Sequence, residues 1–111
     1  MRVAIAARNP DKPVLQKLAE SHGVHRYACD ASQPADVELL FQNVTRDLGP
    51  STLVVHNIDG RVPGIFRKGI TEAEPSMVLE TLRNAAFSAF LIGQQAARVM
   101  REKKRNANGV K

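Results

Sequence analysis

Three short stretches of this chain place polar side chains where an apolar run stops. They are Ala7-Arg8-Asn9, Cys29-Asp30-Ala31 and His56-Asn57-Ile58-Asp59-Gly60. A cation, an acid and an amide at three successive run ends form the layout expected for gripping a polar nucleotide. In open parallel sheets ligands bind beyond the carboxyl ends of the strands. Singly, each residue has a plain role: Arg8 as a solvated cation, Asp30 and Asn57 as turn formers. Together they point to Arg8, Asp30 and Asn57 as the binding residues.

Other chemistries find no support. The glycines at 23, 49, 60, 64, 69, 93 and 109 make neither G-x-G-x-x-G nor a Walker loop. His22 and His25 straddle Gly23 with no cysteine or acid at ligand spacing, so no metal site is expected. There is no G-x-S-x-G elbow for a hydrolase triad. Cys29 is the only cysteine, which excludes an internal disulfide and reads as a packed thiol in a reducing, cytoplasmic setting.

The elements that must position these residues alternate in type. Val3–Ala7 reads as a buried parallel strand. Asn9 caps a helix with Pro10 at its first position, and Gly23 stops it. Val24–Cys29 is a second strand. Ser32 then caps a helix with Val37, Leu40, Phe41, Val44 and Leu48 on one face, ended by Gly49-Pro50. Thr52–His56 is a third strand, and a loop with Gly60, Gly64 and Gly69 follows. Thr71 to Glu74 has the form of a capping box, with Pro75 complicating it and offering a helix start near Glu74 as the alternative. From Ser76 to about Arg101 the pattern is helical throughout, with apolar residues on more than one face. The order β-α-β-α-β-α implies an α/β fold with a three-stranded parallel sheet and a long final helix.

The chain has 111 residues, 43% hydrophobic, with a net charge of +5. That charge is local. Arg101, Lys103, Lys104, Arg105 and Lys111 stand against Glu102 alone in the last eleven residues, while the preceding hundred are nearly balanced. Residues 1–100 therefore read as one domain and 101–111 as a basic, disordered tail. No aromatic residues interleave with the basic run, so no nucleic-acid partner is expected. No apolar run approaches the roughly 18–20 residues of a membrane span.

Four segments carry a family resemblance: Val-Ala-Ile-Ala-Ala-Arg-Asn-Pro-Asp-Lys (3–12), Ala-Cys-Asp-Ala-Ser (28–32), Asp-Leu-Gly-Pro-Ser-Thr-Leu-Val-Val-His-Asn (47–57) and Ala-Phe-Leu-Ile-Gly-Gln-Gln-Ala-Ala (89–97). In this order and spacing they resemble the short-chain dehydrogenase/reductase family, across about residues 2–100. The resemblance implies a partial Rossmann-like sheet and hydride transfer between a nicotinamide cofactor and a carbonyl or alcohol. Asp30 matches the family's adenine-binding Asp, and Asn57–Gly60 its Asn-Ala-Gly turn, with bulkier Ile58 and Asp59 in place of Ala and Gly. Ala7 stands where NAD-preferring members carry an acid and Arg8 follows it, the pattern of members that hold the 2′-phosphate of NADP.

Set against that family, the chain starts one βα unit late and lacks the Gly-rich turn. It also lacks the catalytic Ser and the Tyr with Lys four residues on. Tyr27 is the only tyrosine and Ala31 lies four residues beyond it. Ala85 falls in the slot of the family's helical Asn, with Asn84 one residue early and turned about 100° away. The expectation is an internal, catalytically incomplete piece that keeps the adenine end of an NADP site. The family strand order, 3-2-1-4, leaves a gap between Val3–Ala7 and Thr52–His56, which direct pairing of those strands would close. The alternative is an interaction module that self-associates through the long helix, with Phe87, Phe90 and Leu91 partly exposed.

Overall fold

The computed structural model describes residues 1–107. Its sheet has two parallel strands, β1 (Ala4–Ala7) and β2 (His25–Ala28), in the register Ala4 to His25 through Ala7 to Ala28. Bonds from His25 N–H to Val3 O and from Cys29 N–H to Ala7 O, both 3.0 Å, extend the ladder at each end. Helix α1 (Pro13–His22) links the strands. It starts three residues later than expected, because Asn9 Oδ1 accepts the Asp11 N–H at 3.1 Å and forms a local turn instead of a cap. Gly23, at φ 65°, ends α1 in the left-handed region, its N–H on Ala19 O.

Helix α2 (Pro34–Leu48) begins at its proline with Gln33, not Ser32, at the cap position. Its buried residues Val37 and Phe41 face α4 (Ser88–Ala107). Cys29, Val37, Phe41, Leu91, Ile92 and Ala96 make the core, with Ala31, Leu40, Val54, Val99 and Met100 packed round it. The core therefore lies between α2 and α4, beside the exit of β2.

Thr52–His56 is not a strand. The expected three-stranded sheet and the direct pairing with β1 are both absent among the described residues. A strand needs a partner about 4.8 Å away to take its N–H and C=O groups. Here the segment is held by side chains: Val54 packs on the core and His56 bonds to Ser88. Leu53 and Val55, on the alternate positions, are 75% and 76% exposed.

The long helical stretch is also not uniform. Helix α3 (Pro75–Leu82) has Glu74 at its cap position with no side-chain capping bond, so the Thr71–Glu74 box does not form. A π turn at Arg83–Phe87 joins α3 to α4. Helix α4 continues to Ala107, so the basic segment expected to be disordered is helical over Arg101–Ala107, and its last four residues lie outside the described ones. A hydrogen-bonded helix can extend into solvent when its last turn carries cations, here Lys104 and Arg105, that oppose the macrodipole. The radius of gyration is 16.7 Å, against about 13 Å for a compact domain of this length. Much apolar surface is left uncovered. No helix among the described residues is long and apolar enough to cross a membrane.

Candidate functional site

The exits of β1 and β2 lie side by side because the strands are paired, and this brings Arg8 close to Asp30. Asp30 sits in the turn before α2, where Oδ1 accepts both the Ser32 hydroxyl at 2.7 Å and the Ser32 N–H at 3.0 Å. Its own N–H donates to Asp36 Oδ2 at 3.0 Å, in the first turn of α2. Ser32, expected to cap the helix, instead fixes this carboxylate. The Ser32 hydroxyl bond holds the Asp30 carboxyl below its ordinary range against the opposing effect of burial, helped by the Ser32 N–H and the charge of Arg8. A rigid carboxylate beside a cation is thus built at the joined strand ends. It offers an acceptor and a phosphate-pairing group on one edge.

Cys29, next to Asp30, is 6% exposed. Burial first, then the charges of Asp36 and Asp30, push its thiol up to about 11. A thiol raised in the folded state favours folding fully below the unfolded value near 9, and that contribution is lost as pH climbs to about 11. Cys29 is accordingly expected to resist a disulfide reagent at pH 8 in the folded chain and to react at least about a hundredfold faster in urea. Equal rates in the two states would contradict the packed-thiol reading.

Asn57 is not brought to the Arg8–Asp30 edge by a strand, and it is exposed. The loop after it is seated on the π turn. Gly60 is buried, and Asn84 Nδ2 donates to its carbonyl at 3.3 Å. Val62 N–H meets Thr81 Oγ1 at 3.3 Å, and His56 Nε2 lies 2.8 Å from Ser88 Oγ. Asp59 turns outward to a forked pair with Arg61, at 2.7 and 2.8 Å. Arg61 holds the Asp59 carboxyl down to about 2 and also lies 5.3 Å above the Phe66 ring. The bulk of Asp59 is therefore spent at the surface.

Asn84, one residue before the slot matched to the family's helical Asn, has a structural part. It is 7% exposed and faces Gly60. The π turn, whose winding takes in an additional residue, is what reading the stretch as a uniform α-helix missed. The only hint in the sequence is Ser88, a residue able to bond back to carbonyls of the preceding turn. Tyr27 likewise has a structural part, donating to Asp47 Oδ2 at 2.8 Å and tying β2 to the end of α2. No group of metal-ligating side chains occurs among the described residues.

A family model described as enoyl-(acyl carrier protein) reductase matches residues 1–110 of the chain. None of the curated proteins matches it.

Proposed function

Because this chain belongs to the short-chain dehydrogenase/reductase family, matching an enoyl-reductase model over residues 1–110, we propose that it supplies the adenosine end of a nicotinamide-dinucleotide site. In the intact family that cofactor exchanges a hydride with a carbonyl or alcohol, or a related acceptor. The observation that carries the reading is the Arg8–Asp30 edge, with Ser32 holding the carboxylate in place. Asp30 would accept from the adenine amine and Arg8 would pair with a 2′-phosphate. Ala7 brings no acid to bind a free 2′-hydroxyl, so NADP is favoured over NAD. The residues fit the cofactor at this end alone: the 111 residues contain no Gly-rich loop for the pyrophosphate and no Tyr-x-x-x-Lys. Asn57 belongs to the same proposal as a loop residue passing the ribose. By itself the chain reduces nothing.

Titration with adenosine 2′-phosphate, 5′-AMP and NADPH, followed by amide NMR, tests this. The expected result is shifts at Arg8, Asp30 and Ser32, larger for the 2′-phosphate, with NADPH binding no tighter than about 1 mM (roughly −4 kcal/mol). Arg8→Ala should erase the difference between the two mononucleotides. A micromolar NADPH constant, or shifts confined to other residues, would defeat the proposal.

The second reading, an interaction module, is favoured by one observation. Phe87 and Phe90 are 42% and 58% exposed, with ring centroids 6.5 Å apart. Leu91, expected beside them, is instead in the core. Exposed Leu79 and Leu82 continue the apolar face onto α3. Such a face seeks a partner, and a second copy of the long helix is the simplest one. Sedimentation of the NMR sample separates the readings: a dimer disrupted by Phe90→Glu supports association, whereas a monomer at all concentrations removes it.

A further inference from the structure

Ser88 has no exposed surface, and its hydroxyl reaches three groups. Asn84 O lies at 2.6 Å, Ala85 O at 3.0 Å and His56 Nε2 at 2.8 Å. A hydroxyl carries one hydrogen, and a carbonyl can only accept. In an α-helix the Ser88 N–H would serve the Asn84 carbonyl, four residues back. In the π turn it serves Arg83 O and Ala85 O instead. The Ser88 hydroxyl takes over at Asn84 O, so its proton is committed. The contact with His56 is then a hydrogen bond only if the imidazole donates.

We infer that His56 is a positioning residue, held as the Nε2–H tautomer, whose N–H completes the Ser88 oxygen and clamps the His56–Gly60 loop onto the π turn. A histidine 2.8 Å from a serine also has the outline of a base and its nucleophile. The geometry opposes that role: the hydroxyl proton goes to backbone carbonyls, and no part of Ser88 meets solvent. Beyond the clamp lie the Asn84 amide on Gly60 O and the Val62 N–H on Thr81. Both depend on the loop staying where His56 puts it. The inference concerns the seating of the loop and stands whether or not the Arg8–Asp30 edge takes a nucleotide.

Long-range ¹H–¹⁵N spectra of the full 111-residue chain test it directly. The expected signature is one fixed tautomer, with His56 Nε2 pyrrole-like and its proton slow to exchange. A pyridine-like Nε2, or rapid averaging between tautomers, overturns the inference. Variants give a second arm. His56→Leu should speed amide exchange at Val62 and Ser88 by about tenfold or more, as loss of a buried bond requires. His56→Gln, which keeps a donor, should recover most of that protection. Unchanged protection in His56→Leu, or no recovery with Gln, counts against the clamp. The Cys29 amide, bonded to Ala7 O, reports whether the sheet persists; if it too loses protection, the tautomer in the unsubstituted chain decides.

Discussion

Gly60→Ala is expected to lower stability by about 2–4 kcal/mol, far beyond the usual effect of adding one methyl group. A Cβ on Gly60 would lie 2.6 Å from Ala85 N, 2.7 Å from Ala85 Cβ and 2.9 Å from Ala85 Cα. All three atoms belong to or adjoin the backbone of the π turn, so no flexible side chain can swing clear. The loop must lift, and lifting takes Gly60 O from Asn84 Nδ2. That leaves a buried amide unpaired, at about 1–3 kcal/mol. The glycine is required here by closeness and not by an unusual φ. Urea unfolding should show a reduced midpoint at similar slope. Gly93→Ala is the control, because a Cβ there meets nothing within 4 Å on an exposed helical position. It should stabilise by up to about 1 kcal/mol through helix propensity. If Gly60→Ala changes stability by less than about 0.5 kcal/mol, the close seating of the loop is wrong.

The first half of the fold was legible because its signals are local. Gly23 and Gly49 stop helices, Pro34 starts one, and the apolar face of α2 carries Val37 and Phe41 to the core. Each of those is decided within a few residues of itself. Thr52–His56 fails for the opposite reason. Its apolar run describes side chains, whereas a strand is a statement about a neighbour's backbone, and no described strand lies alongside it. The start of α1 was misplaced because Asn9 and two nearby prolines offer competing caps and turns. The π turn had no legible periodicity of its own. In the site, Arg8 and Asp30 could be paired from strand order alone. Ser32 was misassigned, since a serine before a helix fits a cap as well as a carboxylate anchor. The seating of the loop on Asn84 and Ser88 depends on contacts between residues 24 and 32 positions apart, which no local pattern encodes.

Phe41→Ala is expected to remove the cooperative transition altogether. Phe41 is 7% exposed on α2 and packs in the cluster with Leu91, Ile92 and Ala96 of α4. That cluster is the only set of buried apolar residues joining the two halves of the described chain. Truncating a buried phenylalanine typically costs about 3–5 kcal/mol, the lost transfer energy adding to the cavity left behind. A well-packed domain of this length has about 5–15 kcal/mol in total. Among its described residues this one has six buried apolar residues and a two-stranded sheet, with Leu53, Val55 and Phe90 still facing solvent. Its margin must lie at or below the low end of that range, so the loss at Phe41 is comparable to everything holding α2 against α4. Collapsed near-UV dichroism and a broad, shallow urea transition are the expected readings. Phe66→Ala provides the comparison within the same residue type. Phe66 is 68% exposed and carries the surface cation of Arg61 over its ring, an interaction of about 0.5–1 kcal/mol at an exposed site. Phe66, in the short turn Ile65–Arg67, takes no part in the core cluster, so a Phe41→Ala chain that melts within about 1 kcal/mol of Phe66→Ala would show that α2 and α4 are held by something other than this core.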